Sequence, residues 1–468
     1  MALSANTVWE VRPGVGNGLS TNGGGFVTGA SGTDRSQQAA AHATVTVVSG
    51  TLLKLATVIG YTVTAADVGN IYNNVGVGSS ISGLYQIIAV DVPNNNWQFD
   101  RSIGTMALQT GSGSMGGAFN SIASLHNVTV AGNTVHIKNS GTDTPGQSVT
   151  FPVGTAQAPV TISGYNAARG DTTTGGTYSG THNSNGFLNT AVLPLINVAG
   201  NLLTINAFTQ IQGVRVTGSR TAALLSFGAT SSMFRCEVTN TSTNVAALAV
   251  TNCQNYIDCD LSCATATGGY VLSSATGTLI TSSRITSTNG GGINAAASLQ
   301  SLGNVFYSMA ASQNAINLTG ASPVLLCIGN TFYSVLGTCV ALGNQVLTSP
   351  FILLTNNQVS GCGTFANNLR SDTQVIALHS FHNRIRNTTT SYTGWLSNTS
   401  INDVTTADTD ANEYVDTTTN NFRLKPAALG VGAGLPNTNS IGAFQLTTGS
   451  GGTAGIMRHP GMCGGLAA

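Results

Sequence analysis

Apolar and polar positions along this 468-residue chain follow two rhythms. Between residues 41 and 110 they alternate one by one, as in Ala43-Thr44-Val45-Thr46-Val47-Val48 and Tyr85-Gln86-Ile87-Ile88-Ala89-Val90. The turn-like Pro93-Asn94-Asn95-Asn96 then leads into Trp97-Gln98-Phe99-Asp100. A period of two, punctuated by polar clusters, predicts short strands joined by hairpins, hence a small antiparallel β domain. Residues 1–35 are Gly-rich and read as irregular. Gly111-Ser112-Gly113-Ser114-Met115-Gly116-Gly117 reads as a linker or a corner.

From about residue 120 a longer repeat takes over. Each unit is a short strand ending in a large apolar residue, followed by a polar turn. The end anchors are Val216, Val238, Leu261, Ile285, Phe306, Phe332, Val359 and Ile385, separated by 21 to 27 residues. Their contexts agree, as in Gly303-Asn304-Val305-Phe306, Gly329-Asn330-Thr331-Phe332, Asn356-Asn357-Gln358-Val359 and His382-Asn383-Arg384-Ile385. The Asn two places before the later anchors suits an inward or corner ladder. This period matches one coil of a parallel β-helix. A leucine-rich repeat would need a dense Leu consensus with a helical half, and propeller repeats are longer. No helical apolar period is sustained over residues 200–390.

The expected fold is therefore all-β: a right-handed parallel β-helix solenoid with a small N-terminal antiparallel β domain and a C-terminal cap. The boundaries expected are 1–118 for the N-terminal β domain (attachment or cap), 119–400 for the β-helix and 401–468 for the cap and tail. Capping is expected because an open rung presents unpaired backbone groups.

Composition narrows the function classes. Only 7% of residues are charged, yet 41% are hydrophobic, which supplies a core. Sixteen basic residues balance sixteen acidic ones with no basic block, which argues against nucleic-acid binding. No apolar run reaches the length of a membrane-spanning helix, so no membrane insertion is expected. The N-terminus lacks a basic start followed by an apolar core, so no signal peptide is read and synthesis in a cytoplasm is expected. The eight cysteines, Cys236, Cys253, Cys259, Cys263, Cys327, Cys339, Cys362 and Cys463, form no CxxC pair. They read as small inward-facing apolar residues, not as a disulfide framework or a zinc site.

Several segments carry a resemblance. Ala131-Gly132-Asn133-Thr134-Val135-His136-Ile137-Lys138 with Val160-Thr161-Ile162-Ser163-Gly164-Tyr165 resembles the opening rungs of pectate-lyase-like right-handed β-helix proteins. Phe422 to Gly434, with Ile441-Gly442-Ala443-Phe444, resembles their closing segment. Thr7-Val8-Trp9-Glu10-Val11-Arg12, Asn22-Gly23-Gly24-Gly25-Phe26-Val27 and Asp67-Val68-Gly69-Asn70 are similar to N-termini of bacteriophage virion-type β-helix proteins. That second likeness implies a virion structural protein: a tail fibre, a spike or a capsid-attached decoration. It implies a homo-oligomer, commonly a trimer, joined to other virion proteins through its N-terminal domain and able to meet a host surface glycan. The alternatives are a polysaccharide-degrading tailspike, lyase or glycoside hydrolase, and a bacterial surface adhesin.

Candidate chemistry is sparse. Aligning the anchors places Arg215, Glu237, Asp260 and Arg284 at one position on four successive rungs. Glu237 and Asp260 are then neighbouring carboxylates about 4.8 Å apart along the axis, near the separation of a retaining glycosidase pair. They are the catalytic candidates if the chain is an enzyme. The plainer reading is a charge ladder, Arg215 with Glu237 and Arg284 with Asp260, beside a parallel Arg235–Asp258 pair. The arginines favour ionised carboxylates, which suits salt bridges better than a proton donor. No acidic residue lies between Asp260 and Asp372. Asp403, Asp408, Asp410, Glu413 and Asp416 do not match a calcium loop and read as a solvated loop. No cofactor and no metal site is expected.

Overall fold

The computed structural model describes residues 3–14, 19–48, 55–76, 81–103, 110–126, 128–173, 188–265, 268–310, 313–320, 323–343, 351–368, 377–395, 397–401, 403–406, 414–417, 421–425, 445–446 and 456–457. Among the described residues the regular structure is β, apart from three short 3-10 segments. Most of it belongs to a parallel β-solenoid of about nine turns. Among the described residues no helix is long and apolar enough to cross a membrane. The chain divides into two compact units, 1–175 with 191–198 and 203–215, and 176–190 with 199–202 and 216–468.

The first unit contains the expected antiparallel domain. Strands Ala41–Val47, Leu55–Ile59, Asn96–Phe99, Gly83–Asp91, Ile71–Gly76 and Thr110–Met115 close, in that order, into a barrel. Their period-2 pattern points Val45, Val58, Tyr72, Tyr85, Ile87, Trp97 and Phe99 into its core. The Tyr72 hydroxyl donates to the Ala43 carbonyl (2.9 Å) and the Trp97 indole to buried Asp67 (2.9 Å), so the polar tips of both rings are paired.

Two expectations are corrected here. The Gly/Ser stretch from Gly111 to Gly117 is not a linker. Thr110–Met115 is the strand that closes the barrel, pairing with both Ala41–Val47 and Ile71–Gly76. Gly113 is needed for that approach, since a Cβ there would lie 1.8 Å from the Asn73 carbonyl oxygen. Residues 1–35 are not irregular throughout. Thr7–Val11 runs parallel to Thr134–Lys138, which pairs in turn with Val160–Tyr165. Gly25–Val27 pairs antiparallel on the other side of Thr7–Val11 and covers its edge. In sequence, the barrel therefore sits inside the solenoid, between its strands Thr7–Val11 and Thr134–Lys138.

In the second unit each coil contributes one strand to each of three parallel sheets. The second sheet carries the anchors. Val238, Leu261, Ile285, Phe306, Phe332, Val359 and Ile385 stand opposite one another from coil to coil. All are buried, and Phe306 stacks on Phe332 with ring centroids 4.9 Å apart. The expected register holds over this whole run. The seven described cysteines are free and buried, as read, and Cys463 lies outside the described residues.

The corner between the first and second sheets repeats one device. A residue in the left-handed region (Arg235, Asp258, Ser282, Gly303, Gly329, Asn356 or His382) turns the chain, with φ between 50° and 64°. The next residue points inward: Cys236, Cys259, Ser283, Asn304, Asn330, Asn357 or Asn383. From Ser283 onward these side chains form a buried ladder. Cys259 N–H donates to Ser283 Oγ, Ser283 to Asn304 Oδ1, Asn304 to Asn330, Asn330 to Asn357 and Asn357 to Asn383, at 2.8–3.0 Å. Each Asn amide also donates to a backbone carbonyl of the preceding coil, as Asn330 does to Ser301 at 2.8 Å. Asp403 ends the series, accepting from Asn383 N–H at 2.7 Å and from Ser380 Oγ at 2.5 Å. Asp403 is therefore a rung of the ladder and not part of a solvated loop. Asp408, Asp410 and Glu413 lie outside the described residues.

Asn330→Leu keeps the volume of the side chain but strands the Asn304 N–H and the Ser301 carbonyl. A loss of about 2–4 kcal/mol is expected from two unsatisfied buried groups. Denaturant unfolding measures it, and hydrogen exchange should rise first at Leu299–Leu302 and Val324–Ile328, because each coil leans only on its neighbours.

Candidate functional site

The second sheet of the second unit turns alternate side chains outward, and there the structure brings together three of the sequence-selected charges. Glu237 faces Asp260, and Asp260 faces Arg284, on three successive strands. Arg284 grips Asp260 with two nitrogens; its Nε lies 2.7 Å from Oδ1, and Nη2 contacts Oδ2. Only 6% of the Asp260 side chain is exposed. Two residues earlier, Arg235 Nε lies 3.3 Å from Asp258 Oδ2, again across adjacent coils. The two expected pairs Arg284–Asp260 and Arg235–Asp258 are thus formed. Burial lowers the pKa of the Arg284 guanidinium, opposed by Tyr307 and Glu237. The Tyr307 ring, on the next coil, lies 5.8 Å from that guanidinium; it stands opposite Thr286, while Val305 is the residue in register with Arg284.

A retaining glycosidase pair needs two carboxyl groups about 5–5.5 Å apart. In-register neighbours on parallel strands, about 4.8 Å apart, satisfy that separation. The carboxylate of Asp260, however, is engaged at both oxygens by one guanidinium. Among the described residues no group of three or more His, Cys, Asp or Glu side chains could hold a metal.

Farther along the same flank, Tyr307 and Tyr333 stand in register and are covered by the hairpin Tyr414–Asp416 and Asn421–Leu424. Phe422 lies 5.8 Å from Tyr307 and 4.8 Å from Tyr333, while Tyr414 meets Tyr333 edge-on at 5.9 Å. Arg386 lies 5.4 Å from the Tyr414 ring. Of the segment that resembles a family closing motif, Phe422 to Lys425 is described and Phe422 makes this contact; residues 426–444 lie outside the described residues.

The first unit holds a cluster that sequence reasoning missed. Glu10 is fully buried and accepts from Arg169 (2.7 and 3.0 Å), from Arg12 (3.0 Å) and from the Tyr165 hydroxyl. Arg169 also reaches Asp34 (2.9 Å) and Ser36 Oγ (2.8 Å). The partners of Glu10 lie up to 159 residues away, so no local pattern announces them. Burial raises the Asp34 pKa, but bonds from Ser36 and Arg169 outweigh it and leave the carboxyl below its ordinary value. Beside the cluster, His136 packs edge-on against Tyr165, and burial with nearby Arg169 pushes its pKa down to about 4. These groups clasp the N-terminal strand, the 34–36 turn and the loop after Val160–Tyr165. The unit also has an open cleft of about 460 Å³ lined by Leu3, Asn73, Leu84, Arg101, Phe119 and Val130. Its one cation, Arg101, is already engaged by Asp100 and the Leu84 carbonyl.

No family model matches the chain, and no curated protein matches it. Among solved structures it is similar to the native GH136 lacto-N-biosidase from Eubacterium ramulus, at 10% identity and a TM-score of 0.21. The match covers 61% of this chain and 65% of that one. At that level the likeness carries no statement about what this chain binds or cleaves.

Asp260→Asn should lower stability by about 1–3 kcal/mol, because it leaves a mostly buried guanidinium without its counter-charge. The double variant Asp260→Leu/Arg284→Met should recover much of that loss, and thermal unfolding of the three proteins measures both. A second expectation concerns acid. His136 stays neutral in the fold down to about pH 4, whereas the unfolded chain takes up its proton near 6.5. Its contribution is therefore complete above pH 6.5 and is lost as pH falls toward 4, by on the order of 3 kcal/mol. Asp34 adds a loss only below its unfolded value of 3.8. Unfolding of the native protein and His136→Gln across pH 7.5 to 4.5 should show a steeper acid loss in the native protein; parallel curves would refute this assignment.

Proposed function

We propose that this chain is a non-catalytic structural protein of a bacteriophage-type particle, a tail fibre, spike or capsid-attached decoration. The observation that carries the non-catalytic reading is the Arg284–Asp260 ion pair. It occupies the better buried member of the in-register carboxylate pair with a guanidinium at both oxygens. The particle assignment is supported by the N-terminal resemblance, whose residues prove to be working parts of one folded unit. Thr7–Val11 is a solenoid strand, Asn22 donates to the Ala118 carbonyl, and Asp67 and Asn70 tie the barrel to residues 33–35. In this reading the N-terminal unit attaches the chain to other particle proteins.

The second reading, a capsule-degrading lyase or hydrolase, is favoured by the Glu237–Asp260 register alone. Incubating the purified chain with capsular and exopolysaccharides separates the two. Under the structural reading no new reducing ends or unsaturated sugars form. Products that disappear in Glu237→Gln or Asp260→Asn variants folded like the native protein would overturn it. Mass spectrometry of purified particles should find the chain in fixed stoichiometry with capsid or tail proteins, and its absence from particles would equally refute the assignment.

A further inference from the structure

On the second sheet the outward row Thr239, Ser262, Thr286, Tyr307, Tyr333, Ser360 and Arg386 runs in register over successive coils. Its first three members are half-buried. Its last two, Ser360 and Arg386, are polar, yet both are sealed from water. Gln358, outward on the same strand as Ser360, is sealed as well. Side chains suited to a wet face have here been covered.

The cover is the hairpin Tyr414–Asp416 and Asn421–Leu424. It follows the strand Val404–Thr406, which pairs with Arg384–Arg386, and then doubles back toward earlier coils. Phe422 reaches Tyr307 and Tyr333, and Tyr414 meets both Tyr333 and Arg386. Tyr414 therefore lies over the coil between these two, the coil of Gln358 and Ser360.

Two features make this contact poor as permanent core. Among the described residues the hairpin is a sheet of its own that shares no ladder with the solenoid, and a lone two-stranded hairpin is marginal in water. Ring contacts fasten it instead. The closed hairpin also leaves both the amide oxygen and the amide nitrogen of buried Gln358 without a hydrogen bond. Buried polar groups in native folds are nearly always paired, and an unpaired one forfeits the bonds that water would give it. Opening restores them.

We infer that the hairpin is a releasable strap, which opens and closes over this row while the solenoid stays folded. Elements with few backbone bonds to their surroundings open at lower free energy than the fold as a whole. Opening bares Tyr307, Tyr333, Ser360 and Arg386 as one line, with about 4.8 Å between coils. A ligand of this flank competes with the strap's own two rings, and those rings define its chemistry: flat apolar faces that stack on the tyrosines and on the guanidinium. The inference holds whether or not the chain is catalytic.

Hydrogen exchange of the full chain, read by mass spectrometry, tests the strap. Peptides covering residues 414–424 should exchange roughly a hundredfold faster than those covering Val305–Met309 and Thr331–Val335. Phe422→Ala should quicken exchange of the hairpin about tenfold or more, the effect of one buried ring, and leave both solenoid strands unchanged. Gln358→Met keeps the length of the side chain without its amide and should slow exchange of the hairpin about tenfold. Hairpin and solenoid amides that exchange together in the native protein overturn the inference. So does a Gln358→Met variant of native circular dichroism whose hairpin exchanges no more slowly.

Discussion

Everything in the repeating part of this protein hangs on one corner. Between the first and second sheets the chain must turn within two residues, and it does so by placing one residue in the left-handed region. For Arg235, Asp258, Ser282, Asn356 and His382 that conformation costs on the order of 1 kcal/mol each or more. The turn also leaves the next N–H buried and pointing along the solenoid axis. The ladder from Ser283 through Asn383 meets that demand, because each side chain accepts the N–H of the coil before it. A short polar side chain with both acceptor and donor meets that demand, and the Asn330 amide accepts from the coil before it while donating to the coil after it.

The ladder also explains how a chain with so few charges holds a register. A parallel sheet with apolar faces can slip by a residue unless something penalises the slip. Here a slip would leave buried amides unpaired at several corners together. The anchors fill volume, while the corner amides specify which residue faces which. Charge is then spent in a few places where it does local work. In the first unit Glu10 gathers two arginines and a tyrosine around the N-terminal strand; in the second, Asp260 and Asp258 each hold an arginine across a coil.

How much of this was legible in the sequence follows from the range of each interaction. The anchors were readable because the solenoid repeats one local pattern, so a strand's own residues reveal its partner one period away. The corner Asn residues were readable for the same reason. Thr7–Val11 was not, because its partner Thr134–Lys138 comes after the entire barrel and belongs to no period. Thr110–Met115 was missed because Gly in a strand usually signals a break, and only the crowding against Asn73 shows why Gly113 is required. Asp403 was grouped with its acidic neighbours in sequence, although its role is set by Asn383 one coil earlier. The candidate carboxylates were placed correctly in register, but register alone is silent on how fully Arg284 would enclose Asp260.

That enclosure bears on what a solenoid flank can become. A row of in-register positions brings any two chosen side chains to the spacing of a catalytic pair, so spacing is cheap in this architecture and identity of the neighbours decides. With arginine on the next coil, the two oxygens of Asp260 are satisfied and the row becomes a fastening. On the first sheet, two adjacent coils instead turn Val324, Leu326, Ile328, Phe351 and Leu353 outward, with no charge in either strand to make such a fastening. Charge fastens one flank and in-register amides line another, so the outer chemistry of each sheet is set row by row by the residues that successive coils repeat.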